Sequence, residues 1–166
     1  SSGNCVIVDD MMFDCGVNYK DIKKKLYSIR YLFVTHVHSD HLKKTTFNKI
    51  IKEFPRIITI ANWHVSYQVP INEIVGDVRK LELKDRIVQT FPCVHDVPTH
   101  GFVVTKNDES LIYATDTSIL EHAPDMKYDY FFVESNHDEV KIEQVRNSGK
   151  KLYGYDVWKG AKRHLS

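Results

Sequence analysis

The stretch from Thr35 to Leu42 reads THVHSDHL. It places His36, His38, Asp40 and His41 directly after the apolar run Tyr31–Val34. Histidine titrates near neutrality, and an unpaired buried imidazole is costly. Four such groups between a buried strand and a helix have no packing purpose, but they suit a metal ion. Neutral imidazole and carboxylate together bind zinc, or manganese and iron as oxygen ligands increase. In extended backbone His36 and His38 point the same way and can pinch one ion. Asp40 and His41 follow where a helix should begin, and would face a second position.

Three more strand-like runs end in the same chemistry. VQTFPCV leads into His95 and Asp96, LIYAT into Asp116, and YFFV into Glu134 and then His137. His164 follows near the C-terminus in KRHLS. The ends of parallel strands are where α/β folds build their sites. Asp116 could bridge two ions through its two carboxylate oxygens. Two-metal hydrolases need that arrangement, with a bridging hydroxide as nucleophile and two cations to hold the oxyanion. Asp40 would orient the hydroxide.

The elements that must position these residues can be read from periodicity. Cys5–Val8 and Met11–Asp14 flank Asp9-Asp10 as a β-hairpin, with Gly16 closing the second strand. Asp21 to Arg30 carries Ile22, Leu26 and Ile29 at helical spacing. Tyr31–Thr35 is a strand. Leu42 to Phe54 is a helix with Leu42, Phe47, Ile50, Ile51 and Phe54 on one face, stopped by Pro55. Arg56–Ile60 is a strand, and Ile74 to Val104 is mostly strand. Leu111–Thr115 and Tyr130–Val133 are continuous apolar runs, expected to be strands covered on both faces. Glu139 to Ser148 is a helix. No repeat, linker or composition break interrupts the chain, so residues 1–166 read as one domain of layered α/β architecture.

The 166 residues suffice for one domain with a hydrophobic core, and 42% hydrophobic with 27% charged residues is an ordinary globular balance. A net charge of +1 gives no bulk attraction to nucleic acid or membrane, so any polyanion contact must be local. One local patch exists: Arg146, Lys150, Lys151, Lys159, Lys162 and Arg163 interleave with Tyr153, Tyr155 and Trp158. Cations bind phosphate backbones and aromatics stack on bases; the plainer reading is a solvated segment whose aromatics pack on the fold. No apolar run approaches the roughly 20 residues that span a bilayer, and no signal peptide is legible at SSGNCVIVDD. Cys5, Cys15 and Cys93 form no CxxC pair, which fits buried thiols in a reducing cytoplasm, with Cys93 as a weak alternative ligand. His64, His100 and His122 have no motif support and read as surface or structural.

THVHSDH resembles the signature of the metallo-β-lactamase fold superfamily. His95 in FPCVHD, Asp116 in IYATDTS and His164 in RHLS follow in that family's order, and SSGNCVIVDDMMFDCG resembles its first hairpin. The resemblance implies an α/β (α+β) fold, a four-layer αββα sandwich of mixed sheets with helices on the outer faces. It implies two divalent ions, zinc first, with Mn2+ or Fe2+ as alternatives. His36, His38 and His95 would hold one, Asp40, His41 and His164 the other, and Asp116 would bridge. Zinc β-lactamases of the commonest type carry cysteine where this chain has Asp116 and lack the histidine at position 41, which argues against antibiotic hydrolysis.

VESNHD, KRHLS and HDVPTHGFVV are similar to segments of compact phosphodiesterases related to tRNase Z and the β-CASP nucleases. That similarity implies cleavage of phosphodiesters in nucleic acid or nucleotides. Glu134 would support His137 as general acid, Asp96 would fix a ligand imidazole tautomer, and Lys162 and Arg163 would hold substrate. A partner subunit in a homodimer would brace His164; no membrane partner is expected. Two rivals share the ligands: a thioester or lactone hydrolase of the glyoxalase II type, and a non-catalytic metal-binding module.

Overall fold

The first strands form the expected hairpin. β1 (Val6–Val8) and β2 (Met11–Phe13) pair antiparallel with Val8 opposite Met11. Asp9 turns the chain at φ 51°, a left-handed conformation that aspartate tolerates. The computed structural model describes residues 3–134, 138–147 and 164–165. It divides into two units, Ser1–Asp77 and Val78–Ser166.

In the first unit β1, β2, β3 (Tyr31–Val34), β4 (Ile58–Asn62) and β5 (Glu73–Val75) lie side by side in chain order. From β2 to β5 every pairing is parallel. The C-terminal ends of β2, β3 and β4 therefore share one sheet edge, and the residues after Phe13 and Val34 become neighbours of Asn62. β3 is buried along its whole length, as its unbroken apolar run requires. On one sheet face Met12, Leu32, Val34 and Ala61 pack with Leu26, Phe47, Ile50 and Val65, all fully buried. Each large side chain buried there stabilises the unit by about 1.5–3 kcal/mol.

Three helices belong to this unit: α1 (Tyr19–Ile22), α2 (Lys44–Glu53) and α3 (Trp63–Ser66). The helix expected over Asp21–Arg30 is shorter and earlier than its periodicity suggests. After Ile22 the chain winds tighter, with N–H bonds from Lys25 to Ile22, Ser28 to Lys25 and Ile29 to Leu26. Ile22, Leu26 and Ile29 are buried nonetheless. α2 starts at Lys44 rather than Leu42, because Leu42 is held in a parallel bridge with Cys15. β4 starts two residues after Arg56, whose guanidinium instead donates to the carbonyls of Leu26 and Tyr27. α3 is unforeseen. Asn62 caps it by accepting the Val65 N–H at 3.0 Å.

The second unit contains β6 (Lys80–Leu83), β7 (Arg86–Cys93), β8 (Thr99–Lys106), β9 (Glu109–Ala114) and β10 (Tyr130–Val133), in the order β10-β9-β8-β7-β6. β6 to β9 pair antiparallel and β10 joins β9 in parallel. β8 and β9 meet through Asn107-Asp108, both at positive φ, as a two-residue hairpin loop prefers. Since β7 and β9 both oppose β8, the C-terminal ends of β7, β9 and β10 lie on one edge. Phe91, Val103, Ile112 and Ala114 form the core of this sheet, and α4 (Glu139–Asn147) follows. Leu111–Ala114 is buried as expected. Tyr130–Val133 is not covered on both faces: Tyr130 is 49% and Phe131 65% exposed. β10 ends the sheet order, so among the described residues only β9 flanks it. His100, expected to be surface or structural, is buried on β8. No described helix is long and apolar enough to cross a membrane.

Candidate metal centre

At the edge of the first sheet, the residues after β2 and β3 form one hydrogen-bonded cluster. Asp14, immediately beyond β2, is fully buried and adopts φ 59°. Its Oδ1 accepts from the Thr35 N–H at 2.9 Å and the Thr35 hydroxyl at 3.0 Å. Its Oδ2 accepts from His41 Nδ1 at 2.8 Å. Thr35 Oγ1 also lies 2.9 Å from His36 Nδ1. The single hydroxyl proton of Thr35 is used on Asp14, so this second contact requires His36 to donate its Nδ1–H. His36 and His41 therefore both donate from Nδ1, and a neutral ring of that tautomer presents a lone pair on Nε2. That is the tautomer a metal-ligating imidazole needs.

The other imidazole converges on the same point. His36 Nε2 stands 3.1 Å from His38 Nδ1, and the His36 ring centroid is 4.2 Å from that of His41. The His38 carbonyl accepts the N–H groups of His41 and Leu42, folding the loop back on itself. Asp40 is about half exposed, with its Oδ2 3.8 Å from His41 Nε2. Asn62 donates to the Thr35 carbonyl at 3.1 Å and ties β4 to the start of the motif.

The second unit gathers its own cluster at the shared end of β7, β9 and β10. His95 Nε2 is 3.1 Å from Asp96 Oδ1 and 3.6 Å from Asp116 Oδ2. Asp96 thus meets the same nitrogen that faces Asp116, not the opposite one. Asp116 sits at φ 51°, and its N–H donates to Glu134 Oε2 at 2.6 Å. The same Glu134 oxygen accepts from His164 Nδ1 at 2.9 Å, and Asp116 Oδ1 lies 3.3 Å from that nitrogen. Asp116, Glu134 and His164 each offer a ligand atom within 4.8 Å of the others, a group that could hold an ion. Glu134 supports His164 here; His137, Lys162, Arg163 and the rest of the basic-aromatic patch but Arg146 lie outside the described residues.

Burial raises the thiols of this region. Cys5 and Cys93 are pushed up to about 12, and Cys15 is raised further, with Asp14 adding to the effect at Cys5 and Cys15. Asp14, Thr35 and Asn4 escaped the sequence reading. Asp14 carried one usable signal: it ends the apolar run MMF two residues before a glycine, just as Thr35 ends YLFV.

No family model matches the chain. A hydroxyacylglutathione hydrolase of Buchnera aphidicola is 31% identical over 91 residues, which cover 55% of this chain and 34% of that protein. Among solved structures, the metallo-β-lactamase fold protein YhfI of Bacillus subtilis superposes with a TM-score of 0.63 at 13% identity. That match covers 80% of this chain and 62% of YhfI.

The chain has the metallo-β-lactamase fold. Human tRNase Z, short form, shares the architecture at a TM-score of 0.55 and 13% identity, over 96% of this chain and 81% of that one. The expected α/β class agrees with two five-stranded mixed sheets accompanied by short helices. Within the metallo-β-lactamase fold, both clusters occupy strand ends, as the motifs implied.

Proposed function

We propose that this chain is a metal-dependent hydrolase that cleaves phosphodiesters in nucleic acid or nucleotides. The observation that carries the metal reading is the hydrogen bonding around Asp14 and Thr35, which engages Nδ1 of both His36 and His41 and makes Nε2 the ligand atom of each neutral ring. On the order of the sequence motifs, His36, His38 and His95 are assigned to one ion, and Asp40, His41 and His164 to the other. Asp116 serves both. Divalent ions held there supply Lewis acidity and a nucleophile at neutral pH.

The chain's own groups have distinct tasks. Asp40, half exposed, orients the attacking water. Glu134 keeps the His164 proton on Nδ1. His137 protonates the leaving oxygen, and Lys162 and Arg163 bind the phosphate backbone. Metal analysis of protein purified without chelators tests the first step. About two ions per chain, falling sharply in Asp116→Ala, support the assignment; one ion or none removes it. Loaded protein that leaves bis(p-nitrophenyl) phosphate, cyclic nucleotides and single strands intact rules out the phosphodiesterase.

The partial likeness to a hydroxyacylglutathione hydrolase favours one other reading, hydrolysis of a thioester. S-lactoylglutathione discriminates the two. Charge reversal at Lys162 and Arg163 would slow phosphodiester cleavage and leave thioester cleavage unchanged.

A further inference from the structure

The pair Gly3-Asn4 enters the first cluster in a way its sequence does not announce. Asn4 is tied by its backbone on both sides. Its N–H donates to the Asp40 carbonyl at 2.6 Å, and its carbonyl accepts from the Gly16 N–H at 2.9 Å. Gly3 precedes it at φ 91°, and a Cβ there would lie 2.1 Å from the Gly16 carbonyl. Only glycine lets the chain pass at this point. The carboxamide is thereby delivered to the two residues assigned to the second ion. Asn4 Nδ2 lies 2.8 Å from His41 Nε2 and 3.5 Å from Asp40 Oδ2.

Asp14 takes the Nδ1 proton of His41, so His41 Nε2 is the acceptor and Asn4 the donor. That lone pair is the one an ion at this position would use. The two amide hydrogens thus reach the ligand atoms of His41 and Asp40, where a cation would otherwise stand. His41 does not depend on Asn4 for its orientation, because its ring is fully buried and held by Asp14 from the other side.

We propose that Asn4 is a polar stopper on the second metal position. It satisfies His41 and Asp40 when no cation is present, and must release them before one binds. Asn4 therefore lowers the affinity of this position relative to the first. The inference rests on reading Asp40 and His41 as ligands, and it makes a claim about a residue outside that set.

The test is a competitive chelator titration with zinc on the full chain, resolving the two dissociation constants. The 2.8 Å bond to His41 and the long 3.5 Å contact to Asp40 must be surrendered on binding, together worth about one good hydrogen bond, so Asn4→Ala is expected to tighten the weaker site about three- to tenfold and leave the tighter one unchanged. Asn4→Asp, which replaces the donor with a carboxylate, is expected to tighten it further. A weaker second site in Asn4→Ala would make Asn4 a support for the ligands, and unchanged constants would make it a bystander; either overturns the inference. A wild type that takes up one zinc and an Asn4→Ala chain that also takes up one overturn it too. Imidazole NMR on metal-free protein gives a readout independent of metal. The His41 Nε2 resonance is expected to move in Asn4→Ala while the Nδ1–H remains. An unmoved resonance rejects the contact while leaving the hydrolase reading intact.

Discussion

Asp14 and His41, 27 positions apart, meet at 2.8 Å with both side chains fully buried. The parallel pairing of β2 with β3 makes this possible, because it brings their ends together at one edge. A buried carboxylate with three donors on it holds a threonine and two imidazoles in one proton arrangement. Asp14→Ala would leave the Thr35 N–H, the Thr35 hydroxyl and the His41 Nδ1–H without their acceptor. We expect a loss of about 3–5 kcal/mol in the metal-free protein, read from urea unfolding. Asp14→Asn keeps one acceptor oxygen and is expected to cost about 1–3 kcal/mol. A loss under about 1 kcal/mol in the alanine variant would mean that water replaces the carboxylate.

Glu134 does the corresponding work in the second unit. One oxygen accepts from both the Asp116 N–H and His164 Nδ1. Glu134→Ala removes that oxygen, so both donors lose their acceptor. His164 then loses the partner that sets its tautomer. Metal affinity is expected to fall about 10- to 100-fold at the site using His164, as for other residues that orient a ligand. Circular dichroism is expected to be unchanged. An equal loss at both sites, or none, would show that Glu134 does not act through His164.

Much of this was legible beforehand because it is local. The Thr35–Leu42 motif, the hairpin around Asp9 and the β10 boundaries follow from residue type and spacing within a few positions. What was hidden depends on pairing across the sheet. Asp14 reads as the polar end of a short strand until β2 is laid beside β3. Asn4 reads as a loop residue until Gly16 brings it against Asp40. Helix lengths failed for a related reason. Ile22, Leu26 and Ile29 bury as well in tight turns as in a regular helix, so burial periodicity could not separate them. The exposed β10 run misled because continuous apolarity reports coverage only in a strand with neighbours on both sides.

Gly16 carries a steric requirement that can be tested directly. A Cβ there would lie 1.7 Å from the Asp40 carbonyl oxygen and 2.2 Å from its carbon. That carbonyl is fixed by the Asn4 N–H, so the loop cannot simply retreat. Gly16→Ala is expected to cost about 1–3 kcal/mol, or about 2–4 °C in Tm per kcal/mol for a chain of this size. It is also expected to weaken metal binding at Asp40 and His41. Gly76→Ala is the control, because nothing lies within 4 Å of a Cβ there. Equal melting temperatures for the two variants would refute the close approach.

The raised thiols give a pH dependence of definite sign. A free thiol titrates near about 8.5 in the unfolded chain. Cys5 and Cys93 titrate at about 12 in the fold, chiefly through burial. Between those values the folded chain holds more protons than the unfolded one, so stability falls as pH rises. The contribution is fully present below pH 8.5 or so and is lost on the way to about 12. The thiolate is the reactive form, so iodoacetamide at pH 8 is expected to label the native protein far more slowly than the chain in guanidinium. The native rate should keep rising through pH 9 to 11, where a free thiol has levelled off. Rapid labelling of Cys93 at pH 8 would contradict the burial effect. Zinc decides the remaining question about Cys93. If the ligands are the imidazoles and carboxylates, adding zinc leaves the labelling of Cys93 unchanged. Protection by zinc would instead make Cys93 a ligand.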